Sequence, residues 1–294
     1  MMVGQFGAAL ASVAERLAQA GIANPRSEAR ALLAAAAECE IETVFGYPER
    51  DLTPVAEARL DGYLRRRQAG EPLSRILGRR EFWGLTFAID AATLDPRPDS
   101  EILVAAALAA FPDRDRALRG LDLGTGSGCL LLAVLSERPQ AIGIGVDRNA
   151  AACRMARRNA WALGLGDRAR FLCADWAEPI AGRFDIILCN PPYIEDGAIA
   201  ALAPEVALYD PRSALSGGAD GLDAYRRIGD EIARCLAPDG LAFIEIGFGQ
   251  ATAVSDILSA NLETVGRRLD LAGIERCLIA RNTKKAVGFG RRPD

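Results

Sequence analysis

The tetrapeptide Asn190-Pro191-Pro192-Tyr193 is the part of the chain best suited to chemistry, and it directly follows the apolar run 184–189. Two consecutive prolines stiffen the turn and remove two backbone N–H donors, which leaves carbonyl oxygens facing outward. Asn190 Oδ1 and the Pro191 carbonyl could each accept one N–H of a planar NH2 group, while the Tyr193 ring packs against its plane. The tetrapeptide therefore predicts a site that grips an amino or amide nitrogen. The alternative is an unrelated turn at a strand end.

A glycine-rich segment occupies residues 124–128, between the apolar run 119–123 and the helical run 129–135. Glycine permits a sharp turn and lets a ligand approach the backbone, and the start of a helix offers free N–H groups. The spacing is G-x-G-x-G, whereas pyrophosphate-binding turns carry G-x-G-x-x-G. Taken alone, this segment is either a cofactor-binding loop or a plain structural turn.

Two further strand ends carry acidic residues. Asp147 follows the run 142–146, where a carboxylate could accept hydrogen bonds from both hydroxyls of a ribose, or could instead cap a helix. Asp175 and Trp176 follow the run 169–173, where they could hold the amino group and the face of a purine, or Trp176 could pack in the core. Several such ends in succession favour one shared ligand site.

The elements that must position these residues form an alternating series after the proline-rich stretch 94–98. Apolar runs of strand length alternate with helical segments at ~30 residues per pair, as βαβ units require. The series predicts a doubly wound α/β sheet. Its strand candidates are 119–123, 141–146, 169–173, 184–189, 241–246 and 275–280.

Apolar residues at helical spacing over residues 6–70 predict a small bundle of three to five helices, and alternation over 80–90 predicts a hairpin. The basic cluster Arg65, Arg66 and Arg67 is interpreted as a solvated helix face. The predicted domains are a helical bundle at 1–78, a hairpin connector at 79–95, an α/β domain at 96–283 and a disordered tail at 284–294.

Histidine is absent from the 294 residues, and this absence excludes whole classes of enzyme. Ser-His-Asp and Cys-His nucleophile systems, histidine general bases and His-rich metal sites are ruled out, and we expect no metal site. Lysine occurs only at 284 and 285, so the body of the chain has no GxxxxGK phosphate loop. The formal net charge of −4 provides no basic field for nucleic acid.

Seven cysteines occur without a CxxC pair, which is typical of a reducing, cytosolic compartment. The longest apolar run, 102–111, has about half the ~20 residues that span a bilayer. The amino terminus has no basic region ahead of an apolar stretch, so no secretion signal is expected. We therefore expect a cytoplasmic protein with no membrane partner.

The segment 122–128, Asp147 and the tetrapeptide 190–193 together resemble class I S-adenosylmethionine-dependent methyltransferases that act on exocyclic or amide nitrogen. More of the chain resembles one branch, the protein-(glutamine-N5) methyltransferases of translation release factors. The stretches that carry this resemblance are 74–78, 80–84, 96–101 and 215–223. With the helical amino domain, the resemblance spans nearly all of the sequence. The family usually has an aliphatic residue where Asp95 stands and a threonine where Ser100 stands.

The resemblance implies a Rossmann-like fold with a mostly parallel, seven-stranded sheet, S-adenosylmethionine as cofactor and S-adenosylhomocysteine as product. It implies that release factors are the protein substrates and that the helical domain recognises them. The implied cofactor-binding residues are Gly124, Thr125, Gly126, Ser127 and Gly128 at the methionine moiety, Asp147 at the ribose, Asp175 and Trp176 at the adenine, and Asn190. The implied catalytic residues are Asn190, Pro191 and Tyr193, and these bind the target amide together with Pro192 and Arg97.

Two other functions remain open at this point. An adenine-N6 DNA or RNA methyltransferase would present the same planar NH2 group to the tetrapeptide, but duplex binding normally requires an extended basic surface. We therefore expect no direct nucleic-acid binding. A non-catalytic cofactor-binding scaffold would keep the fold, but the intact tetrapeptide 190–193 argues against it.

Overall fold

The computed structural model describes residues 4–270 and 272–283, which contain twelve α-helices and nine β-strands. The helices are α1 (Phe6–Gln19), α2 (Pro25–Ala36), α3 (Ile41–Gly46), α4 (Pro54–Gln68), α5 (Leu73–Leu77), α6 (Glu101–Ala110), α7 (Cys129–Glu137), α8 (Ala150–Ala162), α9 (Pro204–Ala207), α10 (Arg212–Leu215), α11 (Asp223–Cys235) and α12 (Ala251–Leu258). The strands are β1 (Arg79–Phe82), β2 (Leu85–Ala88), β3 (Arg119–Leu123), β4 (Ile142–Asp147), β5 (Ala169–Cys173), β6 (Phe184–Cys189), β7 (Leu236–Glu245), β8 (Leu262–Leu269) and β9 (Glu275–Asn282). Short 3-10 turns lie at Pro98–Ser100 and Ile199–Ala201.

The described residues form two compact units. The first comprises residues 4–79 and 203–209, and the second comprises residues 80–202, 210–270 and 272–283. The predicted hairpin forms as β1 and β2, and its residues Phe82 and Phe87 are buried in the core of the second unit. The domain limits drawn from the sequence stay a prediction, and the expected tail at 284–294 lies outside the described residues.

The first unit is a helical bundle, which confirms the predicted architecture of the amino-terminal part. Prolines start α2 and α4, where their missing N–H costs no helical hydrogen bond. The Thr53 hydroxyl caps α4 by accepting the N–H of Ala56 at 3.2 Å. Inward faces of the helices close one apolar core around Leu17 and Leu33, both fully buried.

The solvated helix face predicted for residues 65–67 is wrong for Arg67. This side chain is buried and forms ion pairs with Glu28 at 2.5 Å and with Glu205 at 2.7 Å. Successive helical residues point about 100° apart, so Arg67 faces the bundle while Arg65 faces solvent. The buried arginine thus joins α2, α4 and α9 within the first unit.

The second unit is built on a seven-stranded sheet of order β5-β4-β3-β6-β7-β9-β8. Strands β3 to β7 pair in parallel, whereas β9 pairs antiparallel with both β7 and β8. This arrangement confirms the predicted doubly wound, mostly parallel sheet. The strand candidates differ from the structure by one or two residues at β4 and β9, and by more at two places. The edge strand β8 was not among the candidates, and β7 begins at Leu236 instead of 241.

Helices cover both faces of the sheet. Ile186 and Leu188 of β6 point into a core formed with α6, α7 and α8, while Ile187 and Cys189 point into a second core formed with α11 and α12. A strand buried on both faces reads as a continuous apolar run, which is why β6 was recognisable in the sequence. Among the described residues, every helix is too short or too polar to cross a lipid bilayer.

Candidate active site

Three parallel strands end side by side and bring the predicted site residues to one edge of the sheet. In the register, Leu123 of β3 is paired with Val146 of β4 and with Cys189 of β6. The segments that follow these strands therefore meet, as carboxyl ends do at the switch point of a doubly wound sheet. The strand order reverses at β3. The chain first adds β4 and β5 on one side of β3, and then returns to add β6 and β7 on the other side.

A cavity of about 230 Å³ opens at this edge within the second unit. Most of the predicted site residues line it, whereas Gly128, Pro191 and Tyr193 are not among its lining residues. The predicted residues that line the cavity are Arg97, Gly124, Thr125, Gly126, Ser127, Asp147, Asp175, Trp176, Asn190 and Pro192. Their individual roles stay predictions.

The glycines of the 124–128 turn serve different purposes. Gly124, Gly126 and Gly128 all have positive φ, which favours glycine. A Cβ at Gly128 would lie 3.1 Å from Ala156 Cβ, so this glycine allows α7 to approach α8. A Cβ at Gly126 would meet no atom closer than the Gly124 carbonyl at 4.0 Å. The open space at Gly126 is therefore available to a ligand that approaches the backbone.

Asp147 connects the end of β4 to this turn. Its Oδ2 accepts the backbone N–H of Gly126 at 2.9 Å, and its Oδ1 accepts that of Asn149 at 2.8 Å. The N-cap of α8 is Asn149, whose side chain accepts the N–H of Ala151 at 2.9 Å, so Asp147 is not the cap of this helix. Each carboxylate oxygen keeps further acceptor capacity, which suits two ribose hydroxyls.

Trp176 and Asp175 form another wall of the cavity. Trp176 adopts a φ of 50°, a conformation that bulky residues rarely take, and a Cβ on Gly124 would lie 3.7 Å from its ring. The Asp175 carboxylate accepts a hydrogen bond of 2.5 Å from Arg227 of α11, and both side chains are about half-exposed. Arg227 also lines the cavity, although nothing in the sequence marks it because its contact spans 52 positions.

Asn190 is held at the end of β6 because the prolines that follow cannot continue the strand's hydrogen bonding. Its Nδ2 donates to the hydroxyl of Ser100 at 3.0 Å, and Ser100 is buried. Tyr193 is not among the lining residues of the cavity, and its hydroxyl donates to Glu245 Oε1 at 3.2 Å. Burial, followed by the charge of Glu245, raises the pKa of Tyr193.

Glu245 is a buried carboxyl at the end of β7, beside the tetrapeptide. Desolvation raises the pKa of Glu245 to about 7, while the nearby Ser100 and Tyr193 hydroxyls and the charge of Arg276 act in the opposite direction. A second buried carboxyl, Asp122 at the end of β3, accepts the Thr125 hydroxyl at 2.6 Å, and burial raises its pKa to about 7 as well. Two buried carboxyls with raised pKa values, Glu245 and Asp122, thus stand at the ends of the strands that carry the site.

Two amide side chains that the sequence analysis missed hold the loops in place. Gln250 donates from Nε2 to the Tyr193 carbonyl at 3.1 Å and accepts the N–H of Gly247 at 2.9 Å. Asn159 is buried and donates to the carbonyls of Ser127 at 2.9 Å and Ala88 at 3.0 Å. The hairpin strand β2 is therefore tied to the glycine-rich turn. Neither amide lies in a recognisable motif.

Arg97 lies between the cavity and a buried carboxylate. It forms a short ion pair with Asp210, which also accepts the backbone N–H of Asp95 at 3.3 Å. Asp95, the position at which the resembling family usually has an aliphatic residue, is itself buried, with Arg80 at 3.7 Å. Charge pairing therefore accommodates the departure from the family pattern.

The residues around the cavity fit S-adenosylmethionine. The turn at Gly126 leaves room for close approach to the backbone, Asp147 offers a carboxylate, and Trp176 offers an aromatic face. A nucleoside joined to a charged amino-acid chain requires these three kinds of group: a stacking surface, acceptors for sugar hydroxyls and a polar backbone cradle. The donor set is thus compatible with the cofactor that the resemblance implies.

Comparison with known proteins matches each of two parts of the chain to a protein family. Residues 8–78 match the family described as the PrmC N-terminal domain, and residues 99–218 match the Methyltransferase small domain. The solved structure of the hMettl16 catalytic domain in complex with MAT2A 3'UTR hairpin 6 is similar in fold. It has a TM-score of 0.54 at 16% identity and covers 71% of this chain and 79% of that chain.

Relatives at higher identity extend over almost the whole chain. The release factor glutamine methyltransferase of Rhodospirillum rubrum is 48% identical, covering 93% of this chain and 83% of the relative. The protein of the same name from Cereibacter sphaeroides is 43% identical, covering 93% of this chain and 97% of the relative. The chain belongs to the family of release factor glutamine methyltransferases.

Proposed function

We propose that this protein transfers the methyl group of S-adenosylmethionine to the side-chain amide nitrogen, N5, of a glutamine in a peptide chain release factor. S-adenosylhomocysteine is the second product. One observation carries the proposal: Asn190 and the glycine-rich turn line the same cavity, in a chain 48% identical to a release factor glutamine methyltransferase. The tetrapeptide that suits an NH2 group thus lies beside the turn that suits the cofactor.

The cofactor is held by residues from three strand ends. Gly124, Gly126 and their neighbours in the turn receive the methionine moiety, Asp147 the ribose, and Asp175 with Trp176 the adenine. When bound, S-adenosylmethionine supplies a methyl group that its positively charged sulfur already activates. The protein therefore has to bind and orient the amide, and no activation of the methyl donor is required of it.

An amide nitrogen is a poor nucleophile because its lone pair is delocalised into the carbonyl. Asn190 Oδ1 and the Pro191 carbonyl each accept one N–H of the target amide, which fixes the NH2 group and favours its pyramidalisation. Such orientation lowers a barrier by ~7–11 kcal/mol, whereas a positioned acid or base contributes ~100- to 10,000-fold in rate. Positioning is the larger effect, so the absence of histidine is no obstacle.

Carbonyl oxygens of the same loop also stabilise the positive charge that develops on nitrogen as it gains a fourth substituent. The proton that nitrogen must then lose passes to water, so no dedicated base is required. The main catalytic contribution of this loop is consequently a pair of acceptors, Asn190 Oδ1 and the Pro191 carbonyl, which the two prolines hold in a fixed geometry.

A protein substrate is favoured over adenine in DNA or RNA. The relatives are named for release factors, and the net charge of −4 is unlike that of proteins that bind the phosphate backbone. A non-catalytic scaffold would have no use for the intact tetrapeptide at the cavity. The seven cysteines are all free, which suits a cytoplasmic location.

Mass spectrometry of release factors incubated with the protein and S-adenosylmethionine tests the function. We expect a mass gain of one methylene group on a single glutamine-bearing peptide and no change in an adenine-containing DNA control. Asn190→Ala should bind the cofactor but give no such gain, which controls for methylation by a contaminant. Methylated DNA with an unchanged release factor would contradict the proposal.

A further inference from the structure

One face of helix α11 carries three charged side chains that all hydrogen-bond to the same loop. Arg227, Glu231 and Arg234 are spaced four and three positions apart, so they project from one side of the helix. The loop comprises residues 174–183, between β5 and β6, and contains no helix or strand of its own. It carries the two residues that are proposed to bind adenine, so α11 acts on the cofactor site through this loop.

Two of these side chains fix the backbone of the loop. Glu231 Oε2 accepts the N–H of Ala177 at 2.5 Å. Arg234 donates to the carbonyls of Ala177 and Ile180, both at 2.6 Å. Ala177 and Ile180 are also buried in the apolar core that lies against α11. Hydrogen bonds and packing therefore hold the middle of the loop in place.

The third side chain, Arg227, bonds to a side chain of the loop instead of its backbone. Arg227 Nη2 donates to Oδ2 of Asp175 at 2.5 Å, and both residues line the cavity. The two side chains are about half-exposed, so an unpaired Asp175 carboxylate would be free to rotate toward solvent. Each carboxylate oxygen has two lone pairs, so Asp175 bonded through Oδ2 retains Oδ1 as an acceptor.

We propose that Arg227 is a positioning residue that holds Asp175 in one orientation, in which the carboxylate accepts the exocyclic amino group of adenine. This inference rests on the proposed function, in which Asp175 and Trp176 hold the adenine. It assigns to Arg227 the selection for an amino group at that position of the base, without contact between Arg227 and the base.

The ring of Trp176 cannot make this selection. Stacking tolerates different bases because every base has a π face, so adenine and hypoxanthine would both stack on Trp176. A carboxylate oxygen accepts a hydrogen bond from the amino group of adenine, but it repels the carbonyl oxygen that hypoxanthine carries at the same position. The choice between the two bases therefore depends on Asp175 and on the group that orients it.

The test measures the affinities of S-adenosylhomocysteine and S-inosylhomocysteine for the full-length protein by calorimetry. In the second probe hypoxanthine replaces adenine. We expect the wild type to prefer the adenine probe about tenfold, as a hydrogen bond to a charged group allows. Arg227→Gln should lower this preference about fivefold, because a free Asp175 side chain must be ordered on binding.

Arg281→Gln is the matched control and should keep the wild-type preference. Arg281 pairs with Glu263 at 2.8 Å, both side chains are about half-exposed, and neither lines the cavity. Exposed ion pairs contribute little to folding, so both variants should unfold in urea close to the wild type. An unchanged preference in Arg227→Gln would overturn the positioning role. An equal loss of affinity for both probes, with the preference kept, would also overturn it.

A second background separates action through Asp175 from direct contact with the base. Asp175→Ala should abolish the preference, and the addition of Arg227→Gln should then change it no further. A further change in the double variant would show that Arg227 contacts the base itself, which would overturn the positioning role.

The inference and the proposed function fail in different measurements. A wild type that binds both probes equally, but still methylates release factors, would overturn only the selection at Asp175 and Arg227. A wild type that binds neither probe and methylates no release factor would overturn the proposed function together with this role.

Discussion

The backbone N–H of Gly126 donates a hydrogen bond of 2.9 Å to Oδ2 of Asp147, which ties the turn after β3 directly to the end of β4. Gly126 holds a φ of 55°, and a Cβ there would point into space that no other described atom occupies within 4 Å except the Gly124 carbonyl. The backbone of the turn is therefore fixed by Asp147, while the space beside the Gly126 Cα is open to the cavity.

Gly126→Val is expected to abolish binding of S-adenosylmethionine. A branched side chain would fill the open space beside the turn, and the positive φ adds a strain of about 1–3 kcal/mol. Gly164→Val is the matched control, because Gly164 has a φ of 70° with nothing within 4 Å and does not line the cavity. Both variants should lose some stability in urea denaturation, but only Gly126→Val should lose affinity in calorimetry. Equal cofactor affinities for the two variants would contradict the assignment of the turn.

Asn190→Ala is expected to reduce turnover about 100-fold or more while the affinity for S-adenosylmethionine changes little. The alanine removes the acceptor proposed to orient the amide and leaves the turn at 124–128 untouched. Asn261, which is half-buried, does not line the cavity and donates to Asp230 at 2.6 Å, so Asn261→Ala is the control variant. Single-turnover methyl transfer and calorimetry give the two quantities. Wild-type turnover in Asn190→Ala would remove the tetrapeptide from the catalytic machinery.

The sequence predicts best the elements that carry a strong apolar pattern. Strand β6 is buried along nearly all of its length and reads as a near-continuous apolar run, so its position could be predicted from the sequence pattern. The edge strand β8 is exposed along most of its length and carries Arg267 and Arg268, features that protect an edge from pairing with other chains. Such a segment has no apolar pattern, and only its pairing with β9 defines it.

In the candidate site too, residues next to a local sequence pattern could be predicted, and residues defined by long-range contacts could not. Asn190 and Asp147 could be predicted because each stands at the end of an apolar run. Ser100, Glu245 and Asn159 could not, because their contacts with Asn190, Tyr193 and Ala88 span 90, 52 and 71 positions. Contacts across such separations arise from the packing of the sheet and leave no local pattern. The sequence therefore indicates the groups facing a ligand better than the groups that hold them in place.

The buried carboxyl of Asp122 is expected to make the folded state less stable as pH rises. Its pKa is raised from 3.8 to about 7 by burial, so between these values the folded protein binds a proton that the unfolded chain has released. Stability contributed by this proton is present at low pH and is lost as pH rises through about 7.

Asp122→Asn should weaken the pH dependence of stability, because a neutral amide retains an acceptor for the Thr125 hydroxyl but has no proton to lose. It should not abolish the dependence, because burial raises the pKa of Glu245 to about 7 as well. The free energy of unfolding in urea, compared at about pH 5 and about pH 8, measures the effect. Asp185→Asn is the control: Asp185 accepts the N–H of Arg119 at 2.9 Å, at the opposite end of β3. An Asp122→Asn protein with the wild-type pH dependence would show that Asp122 is ionised in the folded state.

Arg67→Met is expected to destabilise the helical bundle by about 3 kcal/mol, since removal of one partner leaves buried charge without compensation. Glu28 is mostly buried and would lose its ion pair at 2.5 Å, while Glu205, about half-exposed, would lose less. Arg65→Met is the matched control two positions away, because Arg65 is 68% exposed and its pair with Asp61 is solvated. Exposed pairs of this kind contribute about 0–1 kcal/mol, so urea denaturation should show little change for Arg65→Met. Equal loss of stability in the two variants would mean that the burial of Arg67 contributes nothing to the bundle.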